Sequence, residues 1–340
     1  MGKAMATAEV DGAGRTGSPV ARILARAREP EFWPQYGVPL AFVVMCAYFA
    51  ASSDVFLTVG NWGIILQQAS ITGTAAIGAT IVLISGSIDI SQGAVMAVSG
   101  LAAVELFNGH MPLMVVVLAA IVIGLAAGAF MGFLIVYLRI PSFIASLGVM
   151  LSVRGLAFVF TSGISVGLVS GISPQIVWLG QGRVGPIPVP VIIMVVLYGI
   201  FHLIMKQTAW GIRTAAVGSN SEAARLSGVK PAGIIFSTFM VAAALSAVTG
   251  LLLVGRLTSA APDTATGVEF DILTAVVLGG ASIYGGRGSV LRTLLGAVFI
   301  VTLYNGMLLL GVPSFYQQVA SGLALVVALA LNQLGTGARR

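Results

Sequence analysis

Residues 113–137, LMVVVLAAIVIGLAAGAFMGFLIVY, contain no charged side chain, and a run of that length dictates the solvent in which the chain folds. A bilayer's hydrocarbon core is about 30 Å thick and a helix rises about 1.5 Å per residue, so about 20 apolar residues are needed to cross it. Such runs recur. Their spacing predicts spans at roughly 36–52, 62–85, 90–107, 113–137, 142–160, 190–206, 231–255, 270–284, 290–310 and 315–333. Composition agrees, with 58% hydrophobic and only 8% charged residues, against about 25% charged in soluble domains. The fold class is all-α, a polytopic membrane protein of about ten helices, some short or broken. Residues 1–34 read as a cytoplasmic tail, 35–335 as the transmembrane domain and 336–340 as a second short tail.

The chain has 17 Lys+Arg against 11 Asp+Glu, but the placement of these charges argues against nucleic acid as a partner. An even number of spans puts both termini on one side. With the first segment inside, Arg183 and Arg256 alone fall outside and Arg154 lies within a span; every other Lys and Arg is cytoplasmic. That is the positive-inside pattern of a membrane protein. Arg15, Arg22, Arg26 and Arg28 sit in a segment with no apolar core of its own, which reads as a tail rather than a cleaved leader. The single Cys46 excludes an internal disulfide.

The stretch 214–229, TAAVGSNSEAARLSGV, is a polar island between two apolar runs. Ser219 and Glu222 have the S-x-x-E spacing of a capping box, Gly228 marks the end and Pro231 opens the next helix. About eight residues are left to be helical, too few for stability in isolation. Ala223 and Leu226 form a small apolar face, with Glu222 and Arg225 paired beside it. A capped helix with a sticky face on the cytoplasmic side of a membrane chain suits docking to a soluble partner.

The third and eighth spans are short and flanked by glycine and charge, with GSIDISQG (86–93) before one and GVEFD (267–271) opening the other. Broken helices persist within a bilayer only where protein or a water-filled cavity satisfies their backbone, so they point toward a pathway. The stretches 82–95 and 276–290 share an apolar run, a glycine turn and a Gly before the next helix, both turns facing inward. Gly124, Gly128 and Gly132 line up as a small-residue packing face. The outer segment 161–190 is rich in Gly, Pro and Ser yet carries Val166, Leu168, Ile176, Trp178 and Leu179, which reads as an ordered lid or receiving surface.

Among the ionisable groups near spans, Arg154 must face protein or water. Two readings stand: a structural ion pair or carbonyl clamp, with Glu105 as candidate partner, or a pathway role. Asp89 and Ser91 lie where the third span needs an N-cap, or act at a gate or in partner contact. Glu269 and Asp271 fall in the first turn of the eighth span, where carboxylates suit the helix dipole or reach sugar hydroxyls. The pathway or gate candidates are therefore Ser87, Asp89, Ser91, Gln92, Phe143, Arg154, Glu269 and Asp271. There is no G-x-x-x-x-G-K-[ST] loop for nucleotide, His110 and His202 lack the company of metal ligands, and no catalytic arrangement is visible, so neither an enzyme nor a metal site is expected. Two rival readings remain: a secondary transporter or channel working without an ATPase, and a sensor or scaffold that moves nothing.

The segments ILQQASITGTAAIGATIVLISGSIDISQGA (65–94), PSFIASLGVMLSVRG (141–155), GSNSEAARLSGV (218–229), GRLTSAAPDTATGVEFDILTAVVLGGASIYGGRGSV (255–290) and YNGMLLLGVPSFYQQV (304–319) together resemble the ribose-type permease family of bacterial ATP-binding cassette importers, from about Phe56 to Asn332. The resemblance implies ten helices in the inner membrane and a dimeric permease, homodimer or heterodimer. It also implies a cytoplasmic ATPase carrying ATP and Mg, no cofactor on this chain, and an extracytoplasmic sugar-binding protein. Coupling to the ATPase would fall on Ser219, Asn220, Glu222, Ala223, Ala224, Arg225, Leu226 and Gly228. Where the family usually reads GGIDLSVG, this chain has Ser87 and Gln92, which puts polar groups beside the inner end of the pathway.

Overall fold

The computed structural model describes residues 32–169 and 174–337. In chain order its helices are α1 (Phe32–Ser52), α2 (Val59–Ile84), α3 (Gln92–Asn108), α4 (Leu113–Val136), α5 (Ser142–Thr161), α6 (Pro174–Gln181), α7 (Val189–Gln207), α8 (Ala209–Ser219), α9 (Ser221–Leu226), α10 (Pro231–Leu257), α11 (Val268–Leu278), α12 (Val290–Leu309) and α13 (Ser314–Gly337). All ten expected spans are helices. Among the described residues α2, α4, α5, α7, α10 and α12 are long and apolar enough to cross a membrane, while Gly37–Ser52 of α1 and Ser314–Ala330 of α13 are shorter apolar stretches. The remaining two, α3 and α11, are the short ones that the flanking glycines announced. α11 stops at Leu278 rather than near 284, because Gly279 caps it and Gly280 turns the backbone with φ of +80°. Residues 32–34 join α1 instead of the tail, and the rest of both expected tails lies outside the described residues.

The helix boundaries follow from the local chemistry. Thr58 caps α2 by accepting the Asn61 N–H at 3.3 Å, and Ser289 begins α12 with a longer contact to the Arg292 N–H at 3.5 Å. Pro231 opens α10, where its missing N–H costs no helical bond.

α10 is the central spine, largely buried and packed by α2, α3 and α4. The predicted glycine face of α4 finds its partner here. Gly124 lies under the Ala243 carbonyl, Gly128 against Met240 and Gly132 against the Phe236 ring. A methyl at Gly128 would come within 2.6 Å of the Met240 Cα. On the opposite side of α4, Leu118, Val122 and Phe130 are exposed, as a lipid-facing surface should be. α2 approaches α10 in the same way, Gly78 sitting on Ala242.

Polar bonds fix the neighbours of α2. Asn61 and Asn305 exchange amide hydrogen bonds at 2.9 Å in both directions, joining α2 to α12. Further along the same pair of helices, the Thr80 and Thr293 hydroxyls meet at 2.8 Å. Tyr198 of α7 donates to the Gly73 carbonyl at 3.0 Å.

Of the segment 161–190, expected as a lid or receiving surface, all but residues 170–173 lies among the described residues. β1 (Val166–Gly167) pairs antiparallel with β4 (Ser259–Ala260), and β2 (Arg183–Val184) with β3 (Ile187–Pro188). α6 presses Gly180 onto Gly255, and Gln181 donates to the Arg256 carbonyl at 2.9 Å. The described parts of 161–190 and the segment 256–268 are thus one bonded surface at the end of α10 remote from α9.

Substituting Gly128→Val forces two backbones apart, an overpacking cost of about 1–3 kcal/mol. The variant is expected to melt several degrees below wild type in detergent, while Val122→Ala on the exposed face is expected to leave the midpoint unchanged. Thermal scanning by intrinsic fluorescence reads both.

Candidate coupling and pathway site

α9 is mostly exposed, with Ala224 its one buried residue. It lies between Asn220, whose φ of −162° and ψ of 102° break the backbone after α8, and Gly228, whose φ of +84° ends the turn as expected. The capping-box reading is corrected: Asn220 Oδ1 accepts the Ala223 N–H at 2.9 Å. Ser219 still belongs to α8 and donates back to the Ala215 carbonyl at 2.9 Å, so it lacks the extended backbone that an N-cap requires. For the same reason α9 has 6 residues rather than about eight.

Glu222 and Arg225 pair as predicted, Nη2 to Oε1 at 2.6 Å and Nε to Oε2 at 3.0 Å, both well exposed. The guanidinium holds the Glu222 carboxyl below its usual range. The pair is therefore complete at neutral pH and is lost as pH falls through that lowered value. The apolar face differs from expectation. Ala224 turns inward against Val217 and Ile234, whereas Ala223 is exposed and Leu226 is 74% exposed.

The end of α8 that carries α9 sits on two glycine turns. Gly286 donates its N–H to the Ile84 carbonyl at 2.9 Å. A methyl on Gly285 would come within 2.7 Å of both the Gly218 oxygen and the Gly86 Cα, and one on Gly218 would overlap the Ile84 carbonyl. The stretches 82–95 and 276–290, paired in the sequence by pattern alone, therefore meet in space, and α8 is the third member of the junction.

Beyond Gly86 the chain runs buried through Ser87, Asp89 and Ser91 into α3. Ser91 takes the N-cap position, but no helix N–H bonds its side chain. Its N–H and hydroxyl instead both go to Asp89 Oδ1, at 2.8 and 2.7 Å. Ser142 of α5 accepts the Ile88 N–H at 3.1 Å and ties this segment to its neighbour. Gln92 is 1% exposed, and neither end of its amide has a partner among the described residues.

Arg154 pairs with Glu269, Nη1 to Oε1 at 4.0 Å, and not with Glu105. Glu105 lies on the exposed side of α3, whereas Glu269 is buried in the first turn of α11. Gly93 lets α3 approach this pair, since a methyl there would meet Glu269 Oε2, the Ala265 carbonyl and Arg154 Nη2. Asp271, two residues beyond Glu269, is held elsewhere: its Oδ1 accepts from Tyr304 and, at 2.8 Å, from Ser321. Phe143 stands 50% exposed at the start of α5, outside the buried group.

The chain matches, over residues 61–329, the family model described as branched-chain amino acid transport system / permease component. It belongs to that permease family. The Escherichia coli (strain K12) ribose import permease protein RbsC is 35% identical over 295 residues, 86% of this chain and 92% of that one. Its Bacillus subtilis (strain 168) counterpart is 40% identical over 271 residues, 79% and 83% of the two chains. The L-arabinose transport system permease protein AraH of Escherichia coli (strain K12) is 33% identical over 311 residues, 91% and 93% of the two chains. No solved structure matches the permease.

The permease is a multi-pass membrane protein and a transport component, not an enzyme. Among the described residues no group of three His, Cys, Asp or Glu side chains converges on a metal-sized site. What the arrangement offers is hydrogen bonding in a buried setting, from Asp89, Gln92, Arg154 and Glu269. Sequence reasoning missed Gly218, Gly286, Tyr304 and Ser321. The last had a legible signal, because Ser314, Gln317, Gln318 and Ser321 recur at helical spacing at the start of α13.

Removing one partner of a buried ion pair costs about 3–5 kcal/mol, since the other charge is left stranded. Arg154→Met and Glu269→Met are each expected to lower the melting midpoint of the permease sharply. The double variant is expected to recover most of the loss, which a thermal-shift double-mutant cycle measures.

Proposed function

We propose that the permease is the membrane subunit of an ATP-binding cassette importer carrying a monosaccharide or related polyol into the cytoplasm. The observation that carries this reading is α9, a six-residue helix with its ion pair and Leu226 free in solvent. Through Gly218 it rests on the turns at Gly86 and Gly285–Gly286. A helix this short is stable only when something grips it. A cytoplasmic ATPase, itself holding ATP and Mg, docks on Asn220, Glu222, Ala223, Arg225 and Leu226. Ala224 and Gly228 keep the helix in shape, and Ser219 seats it on the junction. Nucleotide-driven closure then pulls α9, and the glycine junction moves both turns together, a two-state element biased from one end.

The sugar class is supported by relatives whose names specify ribose import and L-arabinose transport. In this reading the protein lies in a bacterial inner membrane with both termini, 1–34 and 336–340, cytoplasmic. Two permease subunits, identical or homologous, flank the cleft. A sugar-binding protein delivers to the bonded outer surface of 161–190 and 256–268. Ser87, Asp89, Ser91, Gln92, Phe143, Arg154, Glu269 and Asp271 are the pathway or gate residues. No cofactor is bound by this chain.

Leu226→Asp is expected to abolish co-purification of the ATPase with the permease. Glu222→Ala and Arg225→Ala are expected to retain ATPase binding while uptake per ATP hydrolysed falls at least tenfold. Proteoliposome uptake with simultaneous phosphate release reads this ratio, and unchanged coupling in all three variants rejects the docking role of α9.

A further inference from the structure

We infer that the permease holds its own binding site for a neutral polyhydroxylated solute, in the cavity between α11 and α13 over Tyr304, with Asp271 as its principal acceptor. This deepens the function proposed above and rests on it. The cavity measures about 570 Å³, within the range of small-molecule sites and ample for one monosaccharide. It lies away from α9, because α12 starts beside the glycine junction and reaches Tyr304 after most of its 20 residues. That is the half from which a delivered solute enters.

The lining has a definite chemistry. Asp271 Oδ1 is occupied by the Tyr304 and Ser321 hydroxyls, while Oδ2 accepts no hydrogen bond among the described residues. The carboxylate is thereby oriented, with one oxygen left for donors brought by a ligand. Gln317 and Gln318 come from the facing side of α13, and Gln317 makes no hydrogen bond to the rest of the described chain. Each amide both donates and accepts, as adjacent sugar hydroxyls do. Phe270, 51% exposed at the rim, offers a ring for the C–H face of a sugar. The lining contains no Lys, Arg or His, so a phosphorylated or carboxylated sugar would meet an uncompensated carboxylate. An isolated acceptor relieved by two hydroxyl donors, among amides and hydroxyls, selects a neutral ligand rich in O–H donors.

The test uses the full-length permease in lipid nanodiscs with D-ribose, 2-deoxy-D-ribose, ribose 5-phosphate, gluconate and ethanolamine as probes, followed by saturation-transfer NMR. The same variants are then assayed for ATP-driven uptake with the partner ATPase and binding protein. The expected result is binding of D-ribose, weakened at least tenfold by Asp271→Asn and at least threefold by Gln317→Ala, with the two anions not bound. Gln317→Ala guards against misfolding, since that side chain bonds nothing that holds the fold. In uptake both variants are expected to raise KM and leave the maximal rate near wild type. Ribose binding and uptake KM unchanged in both variants, no ribose binding at all, or preference for an anion or for ethanolamine each overturns the site. Wild-type uptake that proceeds without ATP overturns instead the importer reading on which it rests.

Discussion

Helices in a bilayer gain nothing by hiding apolar surface from lipid that is equally apolar, so close van der Waals contact must hold them together. Here that contact is made by glycines laid against α10. Gly78 on Ala242, Gly128 on Met240 and Gly124 on the Ala243 carbonyl bring backbones within reach of one another, where dispersion summed over many atom pairs becomes large. The rest of the structure hangs on this spine. α3 can be short and begin at a broken stretch because α10 and α4 enclose it, and α11 can be a stub because α2 and α12 flank it.

The same device recurs where mobility is expected. Gly86, Gly218 and Gly285 meet backbone to backbone, and Gly286 lies against the backbone and hydroxyl of Ser219, so the link between α8 and the two turns runs chiefly through backbone atoms. Side-chain contacts can slip between rotamers; backbone contacts of this kind either hold or part. In the proposed mechanism this makes the protrusion at α9 and the entrance to α3 parts of one lever.

Much of this architecture was legible in the amino-acid sequence. Ten spans, the two short ones among them, followed from apolar length and glycine flanks, and the α4 glycine face followed from its period. What failed was partner choice. Glu105 and Glu269 both lay near a plausible height for Arg154, and periodicity alone does not say which helix a charge faces. Asn220 displaced Ser219 as the cap because α8 runs one turn further than the polar composition of 214–219 suggested. The convergence of Asp271, Tyr304 and Ser321 depends on three helices packing at one depth, and no local pattern encodes that. Tyr304 belonged to a segment singled out only for its family resemblance.

The reciprocal amides of Asn61 and Asn305 carry a consequence of their own. Two carboxamides that satisfy each other amid apolar neighbours admit one sliding position of α2 along α12, since a shift of a single residue rotates each by about 100° and strands both. They act as an alignment pin during assembly. Loops on either side can lengthen or shrink over evolution, but a one-residue insertion within either helix between its amide and its threonine, Thr80 or Thr293, would put the two fastenings out of phase.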